Sequence, residues 1–133
     1  MKELRAIIDG LVVKINATET SEEYRAGARL LGEHLGESEG FLFEYDCPRV
    51  LGFENTAVPY DLRVLYLQVV GSDDEVRQGV VLECLDMEKD SAKIVQPTSP
   101  YSMAIELRKD FCEKNRIGSG SIVTLYNSED LYE

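Results

Sequence analysis

The sequence predicts an α+β protein that is mainly β, built as one small curled or barrel-like sheet, antiparallel or mixed, with two short helices. Three observations predict this class. Short segments rich in Val, Ile, Leu, Phe and Tyr recur between turn residues, a capping-box motif introduces a helix, and no repeat or Pro/Gly-rich linker divides the 133 residues. We therefore expect one β-rich domain over residues 1–126, followed by an acidic C-terminal tail at residues 127–133.

The first third of the chain predicts an interrupted strand and a helix. Residues 5–16 are largely apolar on either side of Asp9-Gly10, which predicts a strand interrupted by a turn near these two residues. Thr20 and Glu23 have the spacing of a capping box, so a helix is expected to begin there and to stop at Gly36. Its apolar face would consist of Tyr24, Ala28, Leu31 and Leu35.

The rest of the chain predicts mainly strands. Residues 41–45 are rich in β-formers and are expected to end at the turn residues 46–48. Residues 62–70 give the strongest strand signal and are expected to pair as a hairpin with residues 76–85, in which Gly79 marks a bulge. The remaining expected elements are strands at residues 93–96 and 103–107, a short helix near residues 109–115 and a last strand at residues 121–126.

The acidic composition restricts the partners to be expected. The chain has 14 Lys plus Arg against 25 Asp plus Glu, a formal net charge of −11. Nucleic acids and anionic membranes are bound through clustered Lys and Arg, so neither is expected as a partner. The sequence also has no apolar run near the ~20 residues of a membrane helix and no secretory signal, which favours a cytoplasmic location. The expected partner is another protein or a second copy of the chain.

The cysteines point to the same compartment. Cys47, Cys84 and Cys112 are odd in number and lack a C-x-x-C pair, which is typical of reduced thiols rather than of a disulfide framework or a zinc site. We interpret them as small buried hydrophobic residues. No cofactor and no metal site is expected.

The segment from Asn55 to Asp61 is the first candidate for a site, and two interpretations stay open. In one, Asn55, Thr56 and Asp61 lie at the rim of a ligand pocket, where Glu106 joins them. In the other, Asn55 and Thr56 form a turn and Asp61 accepts hydrogen bonds from backbone amides at the start of a strand. Turn chemistry accounts for every residue type in the segment, so the second interpretation is favoured.

Other polar groups give weaker signals. His34 is the only histidine, and no nucleophile motif accompanies it, so a surface position on the first helix is expected and no catalytic residue is assigned. The acidic clusters at residues 73–75 and 86–90 lack the spacing and the turn glycine of a calcium loop. They are interpreted as solvated turns.

The order of several short motifs resembles a known family. Gly40-Phe41-Leu42-Phe43, then Asn55-Thr56-Ala57-Val58-Pro59-Tyr60-Asp61, then Ile105-Glu106-Leu107 and finally Ile117-x-x-Gly120 follow one another. This order is similar to the G-M-L-F, W-M-K-N-T-x-I-P-L-D-I, L-E-L and G-I-x-x-G-D motifs of the uncharacterised family known as domain of unknown function 192. The resemblance covers about residues 10–125 and implies a small β-barrel.

This chain resembles a divergent member of that family. Gly52-Phe53-Glu54 stands where the family has Trp-Met-Lys, and Ser121 stands where it has an acidic residue. The family has no settled activity, so the resemblance implies an architecture and leaves the function to the residues themselves.

Two functions from different classes are therefore carried forward. The favoured expectation is a non-catalytic interaction or assembly module, such as a component of a larger particle like a phage virion, because no catalytic constellation accompanies the acidic surface. The alternative is a small ligand-binding barrel or hydrolase-like enzyme that uses the segment from Asn55 to Asp61.

Overall fold

The computed structural model describes residues 1–127, which form nine strands and two α-helices. In chain order these are β1 (Lys2–Ile8), β2 (Leu11–Ala17), α1 (Ser21–Ala26), β3 (Glu39–Arg49), β4 (Phe53–Asn55), β5 (Leu62–Ser72), β6 (Val76–Met87), β7 (Ser91–Val95), β8 (Tyr101–Arg108), α2 (Lys109–Asn115) and β9 (Ile122–Tyr126). Two short 3₁₀ segments, Gly27–Leu30 and Gly32–His34, follow α1.

Seven of these strands close into a barrel in the order β1-β2-β3-β8-β5-β6-β9, with β9 pairing back onto β1. Within the barrel, β2 and β3 are parallel and the other neighbours are antiparallel. The short strands β4 and β7 pair with each other outside it. The expected mainly β fold with a barrel-like mixed sheet and two short helices is thus confirmed.

Two apolar cores lie on opposite faces of the same strands. Alternate residues of β8 illustrate the division, because Ile105 and Leu107 belong to the core inside the barrel and Ala104 belongs to the core on its outside. The outer core also contains Phe41 and Phe43 of β3. It is covered by the region of α1 and the 3₁₀ segments and by the β4–β7 pair, and this second layer creates the cleft described below.

The first helix is shorter than the sequence predicts. The capping box is present, with the Thr20 hydroxyl accepting from the Glu23 amide and the Glu23 carboxylate accepting from the Thr20 amide, but α1 ends at Ala26. Gly27 and Gly32 both have positive φ, +50° and +53°, which no residue within an α-helix adopts. The apolar spacing therefore continues through two 3₁₀ turns instead of one helix.

The strands are longer than expected. β3 continues through the predicted turn at residues 46–48 to Arg49, with a shift of register after Glu44. In the β5–β6 hairpin the extra residues fall at Val70 and Leu82, whereas Gly79 pairs in register with Val69, so the bulge predicted at Gly79 lies elsewhere. The sequence does not predict β4, because three residues are too few for a periodic signal.

The other predicted features have mixed outcomes. Cys112 is buried and Cys84 is partly buried, but Cys47 is exposed, so the interpretation of all three as buried residues is wrong for Cys47.

The expected tail lies outside the described residues except for Asn127, whose side chain accepts from Arg77 and donates to the Asp73 carbonyl. None of the helices in residues 1–127 has the length and apolar character needed to cross a membrane.

Candidate ligand-binding cleft

A cleft of about 740 Å³ lies between the outer face of the barrel and the layer that covers it. Its walls come from α1 and the turn after it, from β3, and from the loop that leads into β4. The volume falls within the ~300–1,000 Å³ range typical of sites for small molecules.

Aromatic side chains form most of its apolar lining. Tyr24, Phe43, Tyr45 and Phe53 all border the cleft. The rings pack against one another edge-on or tilted, with centroid separations of 6.1 Å for Tyr24–Phe43, 5.5 Å for Tyr24–Tyr45 and 5.1 Å for Phe43–Phe53. Edge-on and offset arrangements of rings are the ones that the ring quadrupoles favour, so these contacts stabilise the wall.

Glu106 contributes a buried carboxyl group to this apolar wall. It lies on β8 between two residues that face the barrel interior, so its own side chain is placed in the outer core, where it is 4% exposed. Its Oε1 accepts a hydrogen bond of 3.2 Å from the Ala28 amide. Burial outweighs this bond and raises the pKa of Glu106 from 4.5 to about 7.

The backbone at Gly27 makes room for that carboxyl group. A Cβ atom at this position would lie 2.7 Å from Glu106 Oε1 and 2.9 Å from the Phe43 ring. The positive φ of Gly27 turns the chain out of α1 and presents the next amide, that of Ala28, to the carboxyl. A glycine is thus required here both for conformation and for close approach.

Two arginines from the same segment stand at the mouth of the cleft. Arg25 and Arg29 are exposed and border the cleft, and neither forms an ion pair or a side-chain hydrogen bond within residues 1–127. Most arginines elsewhere in the described chain have acidic partners, as in Arg63–Asp86 at 2.7 Å and Arg108–Asp110 at 2.7 Å. Glu54 is also exposed at the mouth, so among residues 1–127 two arginines without a partner stand against one carboxylate there.

The sequence-predicted site residues are divided by the structure. Asn55, Thr56 and Glu106 border a side pocket of about 10 Å³, which shares Arg25 and Arg29 with the main cleft. Asp61 is exposed and borders other surface depressions together with Lys109. Three of the four predicted residues are brought together and Asp61 is not.

Asn55 and Asp61 both make the contacts of structural residues. The Asn55 amide donates to the carbonyls of Tyr60 and Glu88, at 2.8 and 3.0 Å, and Asp61 Oδ1 accepts from the Lys89 amide at 2.7 Å. Asn55 Oδ1 is also buried and has no hydrogen-bond partner within residues 1–127. The segment thus contains the turn contacts of one interpretation and an unpaired buried oxygen beside the side pocket.

The remaining sequence candidates lie on the surface. His34 is exposed, with Nε2 3.6 Å from Glu33 Oε1. In the acidic clusters, Asp73 Oδ1 accepts from the amides of Glu75 and Val76, and Asp90 Oδ1 accepts from the Ala57 amide. No group of three or more His, Cys, Asp or Glu with the geometry to hold a metal ion occurs in the part of the chain that the structure describes.

Sequence reasoning missed the aromatic wall and the arginines. Phe43 and Tyr45 are two residues apart on a strand, a spacing that places them on one face, and this was the one local signal available. Tyr24 was predicted as an apolar face residue of α1, which it is, but nothing in the spacing links it to β3. The three residues that depart from the family motif, Gly52, Phe53 and Glu54, also border the cleft.

The geometry defines a small closed barrel with an aromatic cleft on its outer side. Residues 5–125 match the family DUF192, described as an uncharacterized ACR, and the chain belongs to this family. No curated protein matches the chain.

Solved structures share the fold. A protein from Sinorhizobium meliloti 1021, described as a "putative transcription regulator", is 12% identical with a TM-score of 0.74, over 91% of this chain and 92% of that one. A protein of unknown function from Novosphingobium aromaticivorans DSM 12444 is 19% identical with a TM-score of 0.69, over 91% of this chain and 84% of the other. At these identities the likeness concerns the barrel alone.

Proposed function

We propose that this protein is a ligand-binding barrel that takes a small, largely planar molecule into the cleft lined by Tyr24, Phe43, Tyr45 and Phe53. The observation that carries the proposal is the buried carboxyl of Glu106 in the wall of an open aromatic cleft, without a cationic partner within residues 1–127. Burying a carboxyl group costs free energy unless a partner satisfies it. A structural role alone would be served at lower cost by an apolar residue.

The architecture supports binding in this place. The barrel interior is filled by its own apolar core, which includes Leu42, Ile105 and Leu107. The second layer on the outside is incomplete over β3, and the cleft occupies that gap. A ligand seated there would cover the aromatic rings of the outer core from water.

Nuclear magnetic resonance tests the proposal on the uniformly ¹⁵N-labelled chain. A panel of soluble single-ring compounds, including benzyl alcohol, benzylamine and para-methylbenzoate, would be titrated while backbone amide shifts are followed. We expect the amides of Gly27, Ala28 and Phe53 to shift together in a saturable way.

A variant that fills the cleft serves as the control. Ala26 borders the cleft at the end of α1, so Ala26→Phe introduces a ring where the ligand would lie and should abolish the saturable shifts. Val12→Phe is the matched change at an exposed position on β2 and should leave them intact. Shifts scattered over the barrel, or absent for the whole panel, would overturn the proposal.

The expected assembly role stays a prediction. An interaction module, a protein or homo-oligomeric partner, a place in a phage virion and a cytoplasmic location are not tested by the contacts within this chain. A hydrolase-like activity also stays a prediction, although the raised pKa of Glu106 is the property that a general acid or base requires near neutral pH.

A further inference from the structure

We propose that the ligand is amphoteric, with an amino group directed at Glu106, a planar apolar body against the aromatic wall, and an anionic group directed at Arg25 and Arg29. This inference rests on the proposed ligand-binding function and names the chemical class of the ligand. Three separate features of the cleft carry it: the carboxyl group, the aromatic wall, and the two arginines that have no partner within residues 1–127.

At the inner end of the cleft, the Glu106 carboxyl favours a ligand group that donates hydrogen bonds, and a positively charged donor is favoured most. Glu106 accepts from the Ala28 amide at Oε1, and no lysine or arginine within residues 1–127 lies within ion-pair distance. The ionised form of this group accepts hydrogen bonds only, so a ligand group that donates here favours the carboxylate over the protonated form. An ammonium group forms charge-assisted bonds, which are about twice as strong as neutral ones.

The walls of the cleft favour the same group. The faces of tyrosine and phenylalanine rings carry a negative quadrupole that attracts cations within about 6 Å. The molecule already uses this interaction twice, since the guanidinium carbon of Arg49 lies 5.4 Å from the centre of the Tyr45 ring and that of Arg108 lies 4.0 Å from the centre of the Tyr60 ring. Tyr45 also borders the cleft.

The mouth of the cleft favours an anionic ligand group instead. Arg25, Arg29 and Glu54 border both the cleft and the side pocket that Glu106 borders, so these four charged groups face one continuous space. Glu106 is 4% exposed, whereas both arginines and Glu54 are exposed, so the buried end is acidic and the two arginines outnumber the one carboxylate at the mouth. The planar guanidinium group of an arginine can donate two parallel hydrogen bonds to the oxygens of a carboxylate or a phosphate.

A matched set of single-ring probes separates these requirements. Para-aminomethylbenzoate carries both charged groups, benzylamine lacks the carboxylate, para-methylbenzoate lacks the amine, and benzyl alcohol lacks both. Their dissociation constants for the full chain would be measured by the same amide-shift titration near neutral pH. We expect para-aminomethylbenzoate to bind at least about tenfold more tightly than either singly charged probe.

Variants assign each preference to its residues. Glu106→Gln should remove the advantage that the amino group confers, and the double change Arg25→Gln with Arg29→Gln should remove the advantage of the carboxylate. Glu88→Gln and Lys93→Gln alter exposed charges away from the cleft and should leave all four constants within about twofold. Circular dichroism of each variant verifies the fold.

The outcomes keep the two proposals apart. If all four probes bind the cleft equally, or if the variants change their affinities in parallel, the amphoteric preference is overturned while the ligand-binding function stands. If none of the four shifts the cleft amides, the ligand-binding function itself is overturned and this inference falls with it.

Discussion

Glu106 places an ionisable group in a packed core, where such groups are normally absent, and its side chain is only 4% exposed. Its pKa is raised because desolvation disfavours the carboxylate more than the Ala28 hydrogen bond favours it. The folded protein therefore holds the proton of this group more tightly than the unfolded chain does. The consequence is a dependence of stability on pH near neutrality.

Ionisation of Glu106 should lower the free energy of unfolding as pH rises. Because the folded pKa lies above the unfolded one, the folded state binds more protons between the two values, 4.5 and about 7. The free energy of unfolding should fall across this window by a few kcal/mol, of order 3, and level off above it. Urea unfolding from about pH 5 to about pH 8 measures this slope.

The conservative variant assigns the slope to one group. Glu106→Gln cannot ionise, so its stability should vary little over the same pH range, whereas Glu88→Gln at an exposed position should retain the slope of the parent chain. An unchanged slope in Glu106→Gln would assign the pH dependence to other carboxyl groups.

A comparison of Gly27 with Gly32 tests how closely the side chains pack in the wall of the cleft. Both have positive φ, +50° and +53°, but only at Gly27 would a Cβ atom meet other atoms, those of Glu106 and Phe43. Gly32→Ala should cost about 1 kcal/mol of the free energy of unfolding from backbone strain. Gly27→Ala should cost a further 1–3 kcal/mol, roughly, from overpacking, and thermal unfolding of both variants provides the comparison.

The outcome at Gly27 has a direct structural meaning. Equal losses of unfolding free energy in the two variants would show that the side chains around Gly27 move aside at little cost. That result would contradict the close packing of Gly27 against Glu106 and Phe43. A greater loss at Gly27, accompanied by shifts of the Ala28 amide, would agree with it.

At the scale of elements, the loop between β4 and β5 ties the outer pair of strands to the barrel. The Asn55 amide bridges the carbonyls of Tyr60 and Glu88, which belong to segments far apart in the chain. Ala57 adopts φ +63° in the same loop, with its amide donating to Asp90. These bonds hold the loop across a gap that no regular strand pairing spans.

Removal of the Asn55 bridge should loosen this loop. Asn55→Ala leaves two part-buried carbonyl groups without their donor and should lower the free energy of unfolding by about 1–3 kcal/mol. Thr56→Ala, at a half-buried position next to it, is the matched control and should cost less than about 1 kcal/mol. Chemical denaturation measures both.

The same pair of variants separates the two interpretations of the segment. A large loss for Asn55→Ala alone supports the structural one. Unchanged stability of Asn55→Ala together with lost probe binding would instead place Asn55 in the ligand site.

For the whole molecule, the two apolar cores share strands and therefore should not unfold separately. β3, β5 and β8 contribute one set of side chains to the barrel interior and the alternate set to the outer core. Loss of either core would expose one full face of these strands. The fold is thus expected to behave as one cooperative unit.

A single unfolding transition is the expected result for changes in either core. Ile105→Val inside the barrel and Phe43→Leu outside it should each lower the melting temperature, by several degrees for about 1 kcal/mol. Far-ultraviolet circular dichroism and tyrosine fluorescence should report the same midpoint in both variants. Two separate midpoints would show that the outer layer is an independent unit.

Local sequence patterns predicted those elements whose signals lie within a few residues. The capping box at Thr20 and Glu23, the turn at Asp9-Gly10 and the helix at residues 109–115 all occur where expected. The end of α1 was missed because the apolar spacing persists through Gly27, and only the φ of that residue reveals the break. β4 was missed because its pairing with β7 is a tertiary contact.

The sequence by itself determined a mainly β, barrel-like domain, the family to which it belongs, and Glu106 as a residue of interest, because periodicity, caps and motif order are properties of neighbouring residues. The tertiary structure alone decided that Glu106 faces outward from β8 into an aromatic cleft, beside arginines 77 or more positions earlier in the chain. Glu106 lies on a strand that is buried on both faces, so its spacing could not show which core it enters. The closure of the barrel and the packing of the outer layer place the Glu106 side chain in the outer core.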